Sequence, residues 1–173
     1  MIVLGNQRSN TNIELSTKLF DIFSKMFSFI SDVILKEKDY ETENNLLILS
    51  QTFYKLDKET KIYLYVAIKN HQLFQSEENW IEFIKYQISS DSNSKILYNE
   101  QIEEKKELNQ KNIKKLNNQI IYSQIISANQ SMKNLELDNN KINNIINTLI
   151  QFYTILTPET KEEIMKFINM ENK

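Results

Sequence analysis

Apolar residues recur at intervals of three and four along most of the chain, a spacing that places them on one face of an α-helix. The longest stripe predicts a first helix over about residues 13–36. Its members are Leu15, Leu19, Ile22, Phe23, Met26, Phe27, Ile30 and Ile34. Shorter stripes predict helices at about 42–55 and 58–70, with Asp57 as the N-cap of the latter. Ser76 is the predicted start of a fourth helix, followed by two acidic residues in its first turn.

A polar stretch interrupts this pattern in the middle of the chain. Residues 89–94 consist only of Ser, Asp and Asn, which predicts a linker. Residues 95–116 carry few apolar positions and are predicted to be an exposed helix or a mobile insertion. Beyond them, stripes that begin at Ile121 and Ile142 predict two further helices. Thr157, followed by proline, predicts the start of the last helix.

These elements predict an all-α fold, a bundle of six to eight helices with a polar, charged insertion in its middle. Glycine and proline each occur once in 173 residues, so the usual turn residues between strands are almost absent. The length corresponds to about one domain. We divide the chain into an N-terminal tail (1–12), a first helical half (13–90), a polar linker or exposed helix (91–117) and a second helical half (118–170).

Charge and cysteine content narrow the classes of function. The formal net charge is −2 and Arg8 is the single arginine, whereas a protein that reads nucleic acid typically clusters arginine. We therefore expect no nucleic-acid partner. No cysteine is present, which excludes disulfides and thiolate metal sites and fits a reducing compartment. Because no apolar stretch approaches the ~20 residues of a membrane span, we expect a cytoplasmic protein with no transmembrane segment.

Residues suited to catalysis or metal binding are scarce. The single histidine, His71, lies at a predicted helix end with no nucleophile or second ligand beside it in the sequence. Paired carboxylates such as Glu77 and Glu78 are adjacent in sequence and diverge around a helix. No glycine-rich loop is present to hold a phosphate. We expect neither enzymatic activity nor a metal or cofactor.

Aromatic residues offer two candidate surfaces. Phe74 and Phe83 surround the sole tryptophan, Trp80, and this cluster is either core or a partner-binding groove, since tryptophan is frequent in binding hot spots. On the first helix, Phe20, Phe29 and Leu35 lie off the main stripe and need a second surface to cover them. We therefore treat those three residues as a possible assembly face.

Two blocks of residues resemble a known module. The first block includes Asn45-Leu46-Leu47, Thr52-Phe53-Tyr54, Lys61-Ile62-Tyr63-Leu64-Tyr65, His71-Gln72-Leu73-Phe74-Gln75-Ser76 and Trp80. The second includes Ile121-Tyr122-Ser123-Gln124-Ile125-Ile126-Ser127, Met132, Leu135, Leu137-Asp138, Leu156 and Glu159. Their order resembles the helical domain of SET-binding-factor type, found in myotubularin-related pseudophosphatases, over about residues 44–168. This chain departs from the family at Gln72, Phe74 and Glu136, where proline, tryptophan and glycine are usual.

The resemblance implies a non-catalytic protein-interaction or scaffold module in membrane traffic or cytoskeleton regulation. Its partners would be other proteins, with membrane association at most indirect. We predict partner binding at Phe74, Trp80, Phe83, Tyr122 and Gln124. The alternative is a constitutive structural subunit of a larger assembly, which contacts its partners through the aromatic first helix.

Overall fold

The computed structural model describes residues 12–102 and 110–171, with side chains over 12–92 and 115–168. Within these ranges the chain forms eight helices and one small three-stranded sheet. The predicted, predominantly all-α fold is confirmed. The chain divides between Leu73 and Phe74 into two compact units, here called unit 1 and unit 2.

Unit 1 contains the sheet and the first helices. Its elements are β1 (Ile13–Glu14), α1 (Thr17–Glu37), α2 (Tyr40–Thr52), β2 (Phe53–Asp57), β3 (Thr60–Tyr63) and α3 (Tyr65–Ile68). In the sheet, β2 is central, parallel to β1 and antiparallel to β3. The short helix α4 (Gln72–Gln75) carries the boundary between the units.

Side-chain caps fix where the two long helices of unit 1 begin. The Ser16 hydroxyl accepts a hydrogen bond from the Leu19 amide at the start of α1. The Asp39 carboxylate caps α2 by accepting hydrogen bonds from the hydroxyl and the amide of Thr42, at 2.6 and 3.0 Å. Both hydrogen bonds hold the pKa of Asp39 below its ordinary value, and the bond from the Thr42 hydroxyl has the larger effect.

The helix predicted over 58–70 is wrong in its first part, where β3 pairs with β2 in a hairpin and Asp57 ends a strand instead of capping a helix; the later residues 65–68 do form the short helix α3. Aromatic and β-branched residues fit strands, and Tyr54 pairs with Tyr63 across the hairpin. Apolar spacing over so short a segment does not distinguish a strand from a helix. The turn needs no glycine, because Lys58 adopts the left-handed conformation at φ 57°.

Unit 2 is built from four long helices. They are α5 (Glu77–Ile102), α6 (Gln110–Asn134), α7 (Asn139–Phe152) and α8 (Pro158–Glu171). α5 packs against α6 and α7, and α6 packs against α8. The largest fully buried side chains of this unit are Trp80, Phe74, Ile84, Ile120, Ile125, Met132, Leu135 and Ile142. The predicted starts are confirmed: Ser76 and Thr157 accept hydrogen bonds from the amides of Asn79 and Thr160.

The predicted linker at residues 89–94 is wrong, since α5 continues through it. Ser89 and Ser90 are exposed, so they add no polar group to the core, and the helix still buries Ile88. Asp91 accepts a hydrogen bond from the Gln124 side-chain amide at 2.7 Å, which ties α5 to α6. For the polar segment 95–116, the sequence predicted either an exposed helix or a mobile insertion. Its described residues are helical, and residues 103–109 lie outside the described ranges.

The end of α6 is a Schellman turn centred on a residue that is not glycine. The Leu137 amide donates to the Met132 carbonyl and the Glu136 amide donates to the Lys133 carbonyl. Leu137 and Met132 are both buried, as is usual for this motif. Glu136 has φ 55°, in the left-handed region that favours glycine.

We predict that Glu136→Gly raises the free energy of unfolding by about 1 kcal/mol, because glycine removes the Cβ contact of the left-handed conformation. Chemical denaturation of both proteins measures the change. Glu136→Ala is the matched control, since it removes the same charge but keeps the Cβ. An equal gain from Glu136→Ala would assign the effect to charge and contradict the backbone explanation.

Candidate functional site

A continuous line of exposed apolar side chains runs along α1, and we call it the outer face. Its members and their exposed fractions are Leu19 47%, Ile22 45%, Met26 48%, Phe29 69% and Val33 44%. They are spaced alternately by three and four residues. This mean period of 3.5 is the spacing of the contact line in helix pairs.

The outer face exists because α1 is apolar over more of its circumference than unit 1 covers. Phe20, Phe27 and Ile34 point inward and are buried. Between the two faces, Phe23 stacks on Phe53 of the sheet with ring centroids 5.6 Å apart. Within unit 1, α1 packs against α2, α3 and β2. These neighbours cover the inward side and leave the outer face to solvent.

A row of charged residues borders the outer face. Lys18, Lys25 and Asp32 recur every seven residues, so they lie along one edge of it. All three are exposed, and the side chain of Asp32 is 71% exposed. One end of this edge is therefore positive and the other end negative.

His71 anchors the negative end of this edge. Its Nε2 lies 3.0 Å from Asp32 Oδ1, and its Nδ1 accepts a hydrogen bond from the Leu73 amide at 3.1 Å. Because Nδ1 is an acceptor, the proton of the neutral ring is assigned to Nε2, which donates to Asp32. Both ring nitrogens are therefore engaged in hydrogen bonds.

The described residues contain no group of three or more His, Asp or Glu side chains placed to hold a metal ion. No helix among them is both long and apolar enough to cross a membrane.

The aromatic cluster around Trp80 is core, one of the two alternatives that the sequence left open. Phe74 and Trp80 are fully buried and Phe83 is nearly so. The Trp80 indole N–H donates to the Phe74 carbonyl at 2.9 Å, and the Trp80 and Phe83 rings meet edge to face at 5.7 Å. These three side chains present no surface to a partner in this structure.

The other predicted partner-binding residues, Tyr122 and Gln124, lie half-buried on α6. The amide of Gln124 is used in the hydrogen bond to Asp91. Nothing in their geometry singles out a partner, and their binding role stays a prediction.

The structure separates the three residues of the predicted assembly face. Phe29 is on the outer face, but Phe20 is buried on the inward side and Leu35 is half-buried. The grouping is therefore corrected, because one helix face does not hold all three. Leu19 and Met26 belong with Phe29, although the sequence pattern placed them in the inward stripe. The 3.5-residue spacing of the exposed set was the signal that could have separated them.

A smaller surface cluster lies in unit 2, where α5 meets the end of α7. Lys85 Nζ lies 4.3 Å from the centroid of the exposed Phe152 ring and 2.8 Å from a Glu82 carboxylate oxygen. The pKa of Tyr153 is raised to about 12. Burial of the phenol is the larger cause, and the negative charge of Glu82 is the smaller one. The cluster is tied together by its own internal contacts.

We predict that stability falls more steeply at alkaline pH because of Tyr153. Between its ordinary pKa of 10.0 and about 12, the unfolded chain loses the phenol proton while the folded chain keeps it. The unfolded state is favoured progressively over that interval, and below it Tyr153 has no effect on the pH dependence. Denaturant unfolding of the wild type and of Tyr153→Phe across this range measures the difference. Parallel declines in the two proteins would contradict the raised pKa.

Comparison of the chain with protein-family models, with curated proteins and with solved structures finds no match in any of the three. Family membership is therefore not shown.

Proposed function

We propose that this chain is a non-catalytic protein-interaction module that docks through the outer face of α1. The observation that carries the proposal is the unbroken line of five exposed apolar side chains on one long helix. Single exposed apolar residues are common on soluble proteins, but a contiguous apolar strip bordered by charges is typical of interaction sites.

The composition of the outer face suits recognition of another helix. Burial of apolar surface contributes roughly 25 cal/mol per Å², so covering these side chains favours association. Phe29 is the most exposed of them and is the natural anchor. Met26, at the middle of the strip, has a flexible thioether side chain that adapts to the shape of a partner. The regular 3.5-residue period favours a helical partner that lies along α1.

The resemblance to the SET-binding-factor domain supports the same class of function. It adds the proposal that the module acts in membrane traffic or cytoskeleton regulation. The alternative role, a constitutive subunit of a larger assembly, uses the same face of α1. Only the lifetime of the contact separates the two roles.

Site-specific photo-crosslinking tests the docking face. A benzophenone amino acid in place of Phe29 is expected to form light-dependent adducts in an extract of the source cells. The same probe in place of Leu56, an exposed apolar residue of β2, is expected to form none. Ile22→Glu, about two turns away on the outer face, should abolish the Phe29 adduct because it introduces a charge into the contact.

Val66→Glu is the matched control for that charge, since Val66 is exposed on α3 to a similar degree. It should leave the adduct unchanged. Adducts of equal yield from positions 29 and 56, or an adduct at position 29 that survives Ile22→Glu, would contradict the proposal.

A further inference from the structure

The geometry points to a second copy of this chain as the occupant of the outer face, with the two α1 helices antiparallel. This inference rests on the proposed function, that the outer face is a docking surface. The two-fold axis would pass between Ile22 and Met26. The contact would then be isologous, with the same strip contributed by both copies.

The outer face is complementary to itself in that register. Leu19 would lie against Phe29 of the partner subunit, and Ile22 against Met26 of the partner subunit. The two-fold axis generates a second, symmetry-related copy of each of these two pairs. The strips of the two copies together therefore form four apolar layers. Each layer joins a larger side chain to a smaller or more flexible one, which favours close packing.

The charges along the edge select the antiparallel orientation. In that arrangement Lys18 lies beside Asp32 of the partner subunit, and symmetry repeats this attractive pair. Asp32 is already hydrogen-bonded to His71, but its high exposure leaves room for a second donor. A parallel arrangement would instead bring Asp32 beside Glu37 of the partner subunit, twice, and would separate Lys18 from Asp32 by the length of the strip. Like charges at a rim disfavour an orientation more than opposite charges stabilise one.

One contact in the antiparallel arrangement is unfavourable. Lys25 faces Lys25 of the partner subunit across the axis. A lysine side chain is long enough to turn its ammonium group into water, so this contact costs less than two carboxylates on short side chains would. The strip supplies only five side chains per copy, whereas a standard interface uses roughly 20–30 residues a side, so we expect a dimer that dissociates on dilution.

Charge reversal with a mixed pair tests the orientation. In sedimentation of the full chain, Lys18→Glu alone or Asp32→Lys alone should each weaken dimerisation by about tenfold, because two attractive pairs become repulsive. A mixture of the two variants should restore it, since each protein then offers the charge that the other lacks. Asp32→Asn removes the charge but keeps an oxygen that can accept from His71, so it should weaken dimerisation less than Asp32→Lys does. Glu59→Lys, a charge reversal in the hairpin turn, should leave dimerisation unchanged.

Spin labels test the register independently. The sequence has no cysteine, so one introduced cysteine gives one label per chain. Labels in place of Lys25 should be close together in the dimer. Labels in place of Lys18 should be offset along the helices by about 18 Å, roughly twelve residues at 1.5 Å each. Equal distances at the two positions would show a parallel pair and overturn the inference.

The outcomes also separate this inference from the proposed function. A purified chain that stays monomeric, while the probe at position 29 crosslinks a different protein, overturns the second-copy inference and leaves the docking face intact. A monomer whose probe at position 29 reacts only within its own chain overturns both.

Discussion

The apolar part of the α1 surface is wider than the area that the rest of unit 1 covers. The two sides of the helix therefore lie in different environments. The inward side holds unit 1 together: Phe20, Phe27 and Ile34 are buried, and Phe23 stacks on the sheet. The outer side carries side chains of the same apolar kind that the described residues leave between 44% and 69% exposed. Apolar surface in water is unfavourable in proportion to its area, and this cost is the physical basis of the proposed docking.

In unit 2, by contrast, the aromatic side chains of Phe74, Trp80 and Phe83 are buried among the helices of the same unit. Its tryptophan is fully buried and still has a hydrogen-bond partner for its indole N–H. Asn118 is buried on α6, and its side-chain oxygen accepts a hydrogen bond from the Thr157 amide at the start of α8. A buried polar group with such a partner avoids most of the cost of desolvation. The aromatic cluster that the sequence offered as a binding groove is therefore the packed interior of this unit.

Sequence patterns predicted the long helices and several of their ends, because these depend on local physics. The apolar period identified α1, and the caps at Ser76 and Thr157 depend on hydrogen bonds within one turn. The hairpin escaped prediction, since Lys58 supplies the left-handed turn that normally signals itself by glycine. The continuation of α5 through residues 89–94 depends in part on the bond from Gln124 to Asp91, a contact between helices distant in sequence. The outer face escaped for a similar reason: periodicity shows that an arc is apolar, but not which part of it neighbours cover.

Concentration-dependent carbene footprinting tests most directly whether the outer face is a surface that is buried on association. Its five side chains should be modified in dilute purified protein and protected as the concentration rises. Phe152, exposed in unit 2, should be modified equally throughout and serves as the internal reference. Protection of the outer face that is already complete at the lowest concentration would contradict the account, because the face would then be covered within a single chain. Modification that stays constant up to the highest concentration would contradict association with a second copy.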